Sequence, residues 1–273
     1  MPKVKANGIS LNYEQQGSGE PLILIPYLSA DNTCYAFQVA EYAKHFTCIS
    51  VDLRGTGESD KPDGDYSTDL YADDIAALMD ALEITRAHVS GLSLGGAIGL
   101  WLAAKHPDRV KTLSLHGAWT RSDQYIDTVV KSWQVLANAF GSVPTTVIDG
   151  IFPWCFTPAF YATNFDAIQS FAAYVRSRPP MSVDAFITQS NAVLAHDVEA
   201  QLTRITAPTQ ITFGRHDHVT SPRFAKPLQA GIRNSELYIF ESASHAPIYE
   251  VTEEFNQKTL EFLKRHTGQT AAA

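Results

Sequence analysis

The stretch AHVSGLSLGGAIGLWLAAKH, residues 87–106, constrains the fold more than any other part of the chain. A short run of buried-strand character ends at Leu92, a single serine follows, and a helix-like run of small and apolar residues begins at Leu94. Turning a strand into a helix over one residue holds that residue in a strained backbone region. Gly91 and Gly95, two positions to either side, let neighbouring chain pass where a Cβ would clash. Ser93 would then project above the sheet edge, with the N–H groups of the following helix pointing at any anion formed there. The spacing also arises by chance in an ordinary strand–turn–helix, so other residues have to decide.

Strands and helices alternate around this stretch. PLILIPY and FTCISVD read as short buried strands, and STDLYADDIAALMDAL reads as an amphipathic helix that Ser67 or Thr68 would cap. After VKTLSLHG the pattern changes. From about 120 to 202 the chain is helix-like and rich in aromatics, interrupted by Pro144, Pro153, Pro158 and Pro179-Pro180. Alternation returns with TQITFG, SPRFAKPLQAG, SELYIFES and TEEFNQKTLEFLKRH. Short buried strands separated by helices imply an α/β fold, a mostly parallel sheet with helices on both faces. The expected organisation is a core formed by 1–119 and 203–273, with a helical cap inserted over 120–202.

A formal charge of −8 provides no basic field for polyphosphates, which argues against a nucleic-acid partner. The longest apolar run, around 22–28, is too short to cross a bilayer, and MPKVKANGIS lacks the apolar centre of a signal peptide. The expectation is no membrane partner and a cytoplasmic location. Cys34, Cys48 and Cys155 are odd in number and lack metal-ligand spacing, which predicts reduced thiols. His216 and His218 flank Asp217 without a third ligand at tight spacing, so neither a metal nor another cofactor is expected.

Two further loops carry chemistry. ITFGRHDHVTSP ends a strand at Phe213 and puts Asp217 in the next loop, and IFESASHAP puts His245 in the loop after the following strand. Ligands of open parallel sheets bind just past strand C-termini, where Ser93 would also lie. A serine needs an imidazole to take its proton, and the imidazole needs a carboxylate to fix its tautomer and stabilise its cation. Ser93, Asp217 and His245 supply that set. Asp123, after the strand VKTLSL, is a rival for the carboxylate.

With the elbow, DLRGTGESDKP (52–62), GRHDHVTSP and SHAP in view, the chain resembles the α/β-hydrolase family nearly end to end. Within it the pattern is similar to small capped serine hydrolases such as 3-oxoadipate enol-lactonases, aminoacrylate hydrolases and aryl esterases. The resemblance implies an eight-stranded sheet, Ser93 as nucleophile, His245 as general acid and base, and Asp217 as orienting carboxylate. It also implies an oxyanion hole made by the N–H groups of Leu28 and Leu94. The expected activity is cofactor-independent cleavage of a small ester, lactone or related acyl compound. Related folds with the same three residues hydrolyse carbon–carbon bonds of ring-cleavage products or act as slow-turnover ligand receptors, and both readings stay open here.

Family members usually carry a glycine-containing pair where this chain has Pro26-Tyr27. Leu28 keeps its own N–H, so the donor survives. Tyr27 would either line the substrate pocket, with its phenol free to donate a hydrogen bond, or pack under the cap. Trp154 and Phe156 in IFPWCFTPAFY would form a pocket lid or plain core, and Arg176 or Arg178 would grip a substrate carboxylate or sit on the surface. Asp52 and Arg54 are expected to pair, and His116 to be a satisfied structural histidine. The substrate would be a partly apolar small molecule; apolar cap surface would also suit a homodimer.

Overall fold

The structure, a computed structural model, describes residues 2–268. Eight strands form one sheet: β1 (Lys3–Ala6), β2 (Ile9–Gln16), β3 (Glu20–Ile25), β4 (Phe46–Val51), β5 (Ala87–Leu92), β6 (Val110–His116), β7 (Thr209–Gly214) and β8 (Ser235–Phe240). Their order is β1-β2-β4-β3-β5-β6-β7-β8. The β1–β2 and β2–β4 pairs are antiparallel and the rest are parallel.

The run LILI of β3 is continuous because both faces of the sheet are covered. Leu22 and Leu24 enter the core beneath α1 (Ala36–Tyr42), while Ile23 and Ile25 enter the core on the opposite face with α2 (Thr68–Ala81) and α3 (Leu94–Lys105). Ser67 is the cap of α2, its side chain accepting from Leu70 N at 3.0 Å. Almost every residue of α3 is buried, which explains why its sequence is apolar on all sides.

Between β6 and β7 come α4 (Gln124–Phe140), α5 (Val143–Thr145), α6 (Phe152–Cys155), α7 (Pro158–Thr163), α8 (Phe165–Ser177) and α9 (Val183–Leu194). The helical insertion spans 143–194, and α4 leads into it. A π-helical turn over Thr146–Ile151 joins α5 to α6. The chain closes with α10 (Ala225–Gly231), α11 (Pro247–Glu250) and α12 (Thr252–Arg265), the last packing with α1 on the Leu22 and Leu24 face. No helix of the described residues is long and apolar enough to cross a membrane. Cys34, Cys48 and Cys155 are free thiols.

Candidate active site

Ser93 sits between β5 and α3 at φ 55°, ψ −119°, a conformation that L-residues avoid unless the surroundings impose it. Its N–H is held by His116 O at 2.8 Å. The flanking glycines are dictated by contact. A Cβ on Gly95 would lie 2.1 Å from Ile25 O, and one on Gly91 would lie 2.2 Å from Gly95 O, so α3 meets the end of β3 backbone to backbone.

The acid and histidine loops are brought together in the same manner. A Cβ on Gly214 would lie 1.9 Å from Ser244 O. Arg215 N donates to Phe240 O at 2.9 Å, and His216 N donates to Ala243 O at 3.0 Å. His245 Nδ1 then lies 2.8 Å from Asp217 Oδ2, while Asp217 Oδ1 accepts from Val219 N (2.7 Å) and Thr220 N (3.0 Å). Burial alone would raise the Asp217 carboxyl; the charge and hydrogen bond of His245, with the loop amides, outweigh it and hold the group below the ordinary aspartate range. Because an ionised carboxylate only accepts, Nδ1 carries the proton and Nε2 is the basic nitrogen. Ser93 and His245 line one chamber of about 80 Å³. Among the described residues no hydrogen bond joins the two side chains.

The two candidate oxyanion donors, the amides of Leu28 and Leu94, are not taken up by any hydrogen bond within the described residues. Leu28 also lines the chamber. The missing glycine has a local explanation. The left-handed residue of this turn is Ser29, at φ 63°, and its N–H donates to Gln189 Oε1 of α9 at 2.7 Å. The glycine-like conformation therefore falls two residues after Tyr27, and a cap side chain secures it.

Tyr27 lines the chamber. Its hydroxyl lies 2.8 Å from that of Tyr249, and Tyr249 donates to Cys34 O at 2.9 Å. A carbonyl can only accept, so Tyr249 spends its proton there and Tyr27 donates to Tyr249, leaving the Tyr27 phenol no proton for a substrate. Burial pushes both phenols well above their ordinary range, so they stay protonated.

The other candidate residues are placed as follows. Trp154 lines neither the chamber nor the larger cavity beside it; it packs against the main core and offers its carbonyl to Ser244 Oγ at 3.3 Å. Arg176 is exposed and on no cavity wall, although its neighbours Tyr174 and Val175 line the larger cavity. The arginine on the larger cavity is Arg178, paired with Asp31 at 2.8 Å. Arg54 pairs with Asp74 of α2 through two bonds of 2.5 and 2.6 Å, and Asp52 instead accepts from Asn12 Nδ2, Asn32 N and Glu58 N. Asp123 is occupied elsewhere, capping α4 through Ile126 N and pairing with Arg223 at 3.1 Å. His116 is buried between Ser90 Oγ and Thr212 Oγ, and burial lowers it to about 3, so it is neutral and structural. His216 and His218 are exposed on either side of the buried Asp217. Phe156 lines both cavities.

Residues that sequence reasoning missed bind the cap to the histidine loop. Glu250 accepts from Ser244 N (2.5 Å) and from Thr157 N of the cap (2.7 Å), and Ala246 N donates to Cys155 O at 3.1 Å. On the opposite side the cap meets the core through Arg178–Asp31 and through Tyr174 O–H donating to Thr33 Oγ at 2.7 Å. Tyr249 and Glu250 follow directly from SHAP, and their place one helical turn after His245 was the available signal.

Residues 16–251 match the family model described as the alpha/beta hydrolase fold. The chain is 28% identical over 264 residues to 3-oxoadipate enol-lactonase 2 of Acinetobacter baylyi, covering 95% of both proteins. It is 29% identical over 249 residues to a putative carbamate hydrolase RutD of Caulobacter segnis, covering 90% of this chain and 91% of that one. Among solved structures, the enol-lactonase from Burkholderia xenovorans LB400 superposes with a TM-score of 0.87 at 27% identity, over 96% of this chain and 100% of that chain.

Proposed function

The chain belongs to the α/β-hydrolase fold family, and from that premise we propose that it is a serine hydrolase cleaving a small ester, lactone or related acyl compound with Ser93, His245 and Asp217. The observation that carries this reading is the 2.8 Å Asp217–His245 pair, whose imidazole lines the same chamber as the strained Ser93. Relatives named as an enol-lactonase and as an N-acyl homoserine lactone degrading enzyme, at 27% and 26% identity, support the substrate class.

Ser93 Oγ attacks the carbonyl carbon as His245 Nε2 takes its proton, and the carbonyl electron pair moves onto oxygen between the Leu28 and Leu94 amides. As the C–O bond to the alcohol breaks, the imidazolium returns the proton to the departing oxygen. Water, deprotonated by the same nitrogen, then cleaves the acyl-serine and restores Ser93. Asp217 stabilises the imidazolium in both halves. The test is Ser93→Ala against short-chain esters, with a loss of about 10⁶-fold in turnover expected, together with a fluorophosphonate label that maps to Ser93. Retained Ser93→Ala turnover, or a label on another residue, would overturn the reading.

A further inference from the structure

Two chambers of unequal size share an aromatic wall beside the reacting residues. Taking the serine-hydrolase reading as its basis, we infer that the protein acts on esters of a short acid, about two to four carbons, with a bulky, apolar alcohol or phenol. The inner chamber, which Ser93 and His245 line, holds about 80 Å³ among Trp119, Ile126, Val130 and Trp133. An apolar cavity of about 150 Å³ takes benzene, so this one takes roughly three or four non-hydrogen atoms. The outer cavity holds about 1140 Å³, enough for a ring system, and is lined by Phe160, Tyr174, Val175 and Pro179. It reaches exposed Lys3, Glu58 and Lys61 at its rim.

The order of bond breaking assigns the two halves of the substrate. The alcohol has to leave before water attacks, while the acyl group stays bonded to Ser93. The departing half therefore belongs in the cavity that meets solvent, and the retained half in the small chamber. Tyr27, Tyr249, Phe152, Phe156 and Phe171 line both spaces and form the wall between them. Phe152 stacks on Phe171 with ring centres 5.1 Å apart, Phe171 meets Tyr249 at 4.7 Å, and the Tyr27–Tyr249 hydrogen bond ties the core side of the wall. A long or aromatic acyl group would have to displace these rings. A large alcohol has only to pass its ester oxygen between them.

The test uses two isomers of identical composition, 2-phenylethyl acetate and ethyl phenylacetate, which exchange the large and small halves across the ester bond. The full chain should turn over 2-phenylethyl acetate with a kcat/KM about 100-fold or more above that of its isomer. Phe152→Ala, which opens the wall, should narrow that ratio by about tenfold. Phe171→Ala, at a half-buried position, provides the same comparison if the first variant does not fold. Ratios within threefold in the wild type, or a preference for ethyl phenylacetate, overturn the inference, as does a ratio that neither wall variant changes. Hydrolysis of both isomers that survives Ser93→Ala sinks the serine-hydrolase reading itself. Hydrolysis that depends on Ser93 without discrimination sinks only the assignment of the two chambers.

Discussion

Replacing Gly95 with alanine separates the elbow's effect on catalysis from its effect on stability. The new Cβ would stand 2.1 Å from Ile25 O and 2.9 Å from Pro26 O, and both obstacles are backbone atoms at the end of β3. Ordinary contact begins at 3.4 Å, so the helix start and the strand end have to part by about 1.3 Å. Overpacking of this kind costs about 1–3 kcal/mol, and alanine in place of glycine inside a helix returns about 1 kcal/mol, for a net loss of about 0–2 kcal/mol. Catalysis should suffer far more. The displaced segments carry Leu94 on one side and lead into Leu28 on the other, so the two proposed oxyanion amides spread apart, and a misplacement of about 1 Å costs about 100-fold in rate. Gly99→Ala on the same helix is the control, since its Cβ meets first a Leu113 methyl at 3.1 Å, which can give way. Urea unfolding and kcat/KM on a short-chain ester should show Gly95→Ala folded but about 100-fold slower, with Gly99→Ala within threefold of wild type. A fully active Gly95→Ala, or equal losses in both variants, would refute the geometric argument.

Tyr27→Phe removes one hydroxyl pair, so it should lose about 1 kcal/mol in urea unfolding and keep its turnover within about twofold; a tenfold fall in kcat would show that the phenol acts on the reacting groups. Tyr249→Phe should be the less stable of the two, because it also leaves Cys34 O without its donor. Asp217→Asn disrupts the His245 tautomer and should lower kcat by about 10⁴-fold with the fold retained by circular dichroism; near-normal turnover would return the carboxylate role to another residue. Burial pushes the Glu20 carboxyl up, but Lys111, the Gly268 amide and His88 outweigh it and hold it at about 2. A depressed carboxyl stabilises the fold above its unfolded pKa of about 4.3 and loses that contribution as pH falls toward about 2. Urea midpoints across that window should therefore fall less steeply for Glu20→Gln than for wild type, and parallel curves would count against the Glu20 cluster.

The elbow and the two loops were legible because each is a local event: a strand ends, one residue turns, and the next element begins. The β3 run could be read as buried on both faces from LILI alone. Partners set by tertiary approach were not legible. Arg54 is two residues from Asp52, yet α2 brings Asp74 against it, and nothing in the spacing between positions 54 and 74 announces that contact. In the cap, several short helices and a π-helical turn break the hydrophobic period, so Phe156 and Trp154 looked equivalent although only Phe156 reaches a cavity. The left-handed residue of the oxyanion turn was hidden for a related reason. Ser29 carries no glycine signature, and the Gln189 amide acceptor that secures it lies 160 residues away.

The Glu250 bridge constrains how substrate enters. Raising the cap along that edge would pull the Thr157 amide from the carboxylate that also holds Ser244 N, and Cys155 O from Ala246 N, disturbing the loop that carries His245. On the far edge the Arg178–Asp31 and Tyr174–Thr33 contacts join cap to core. On the histidine side one carboxylate thus couples the cap to the loop that carries His245, so the position of the cap and the placing of the imidazole are set together.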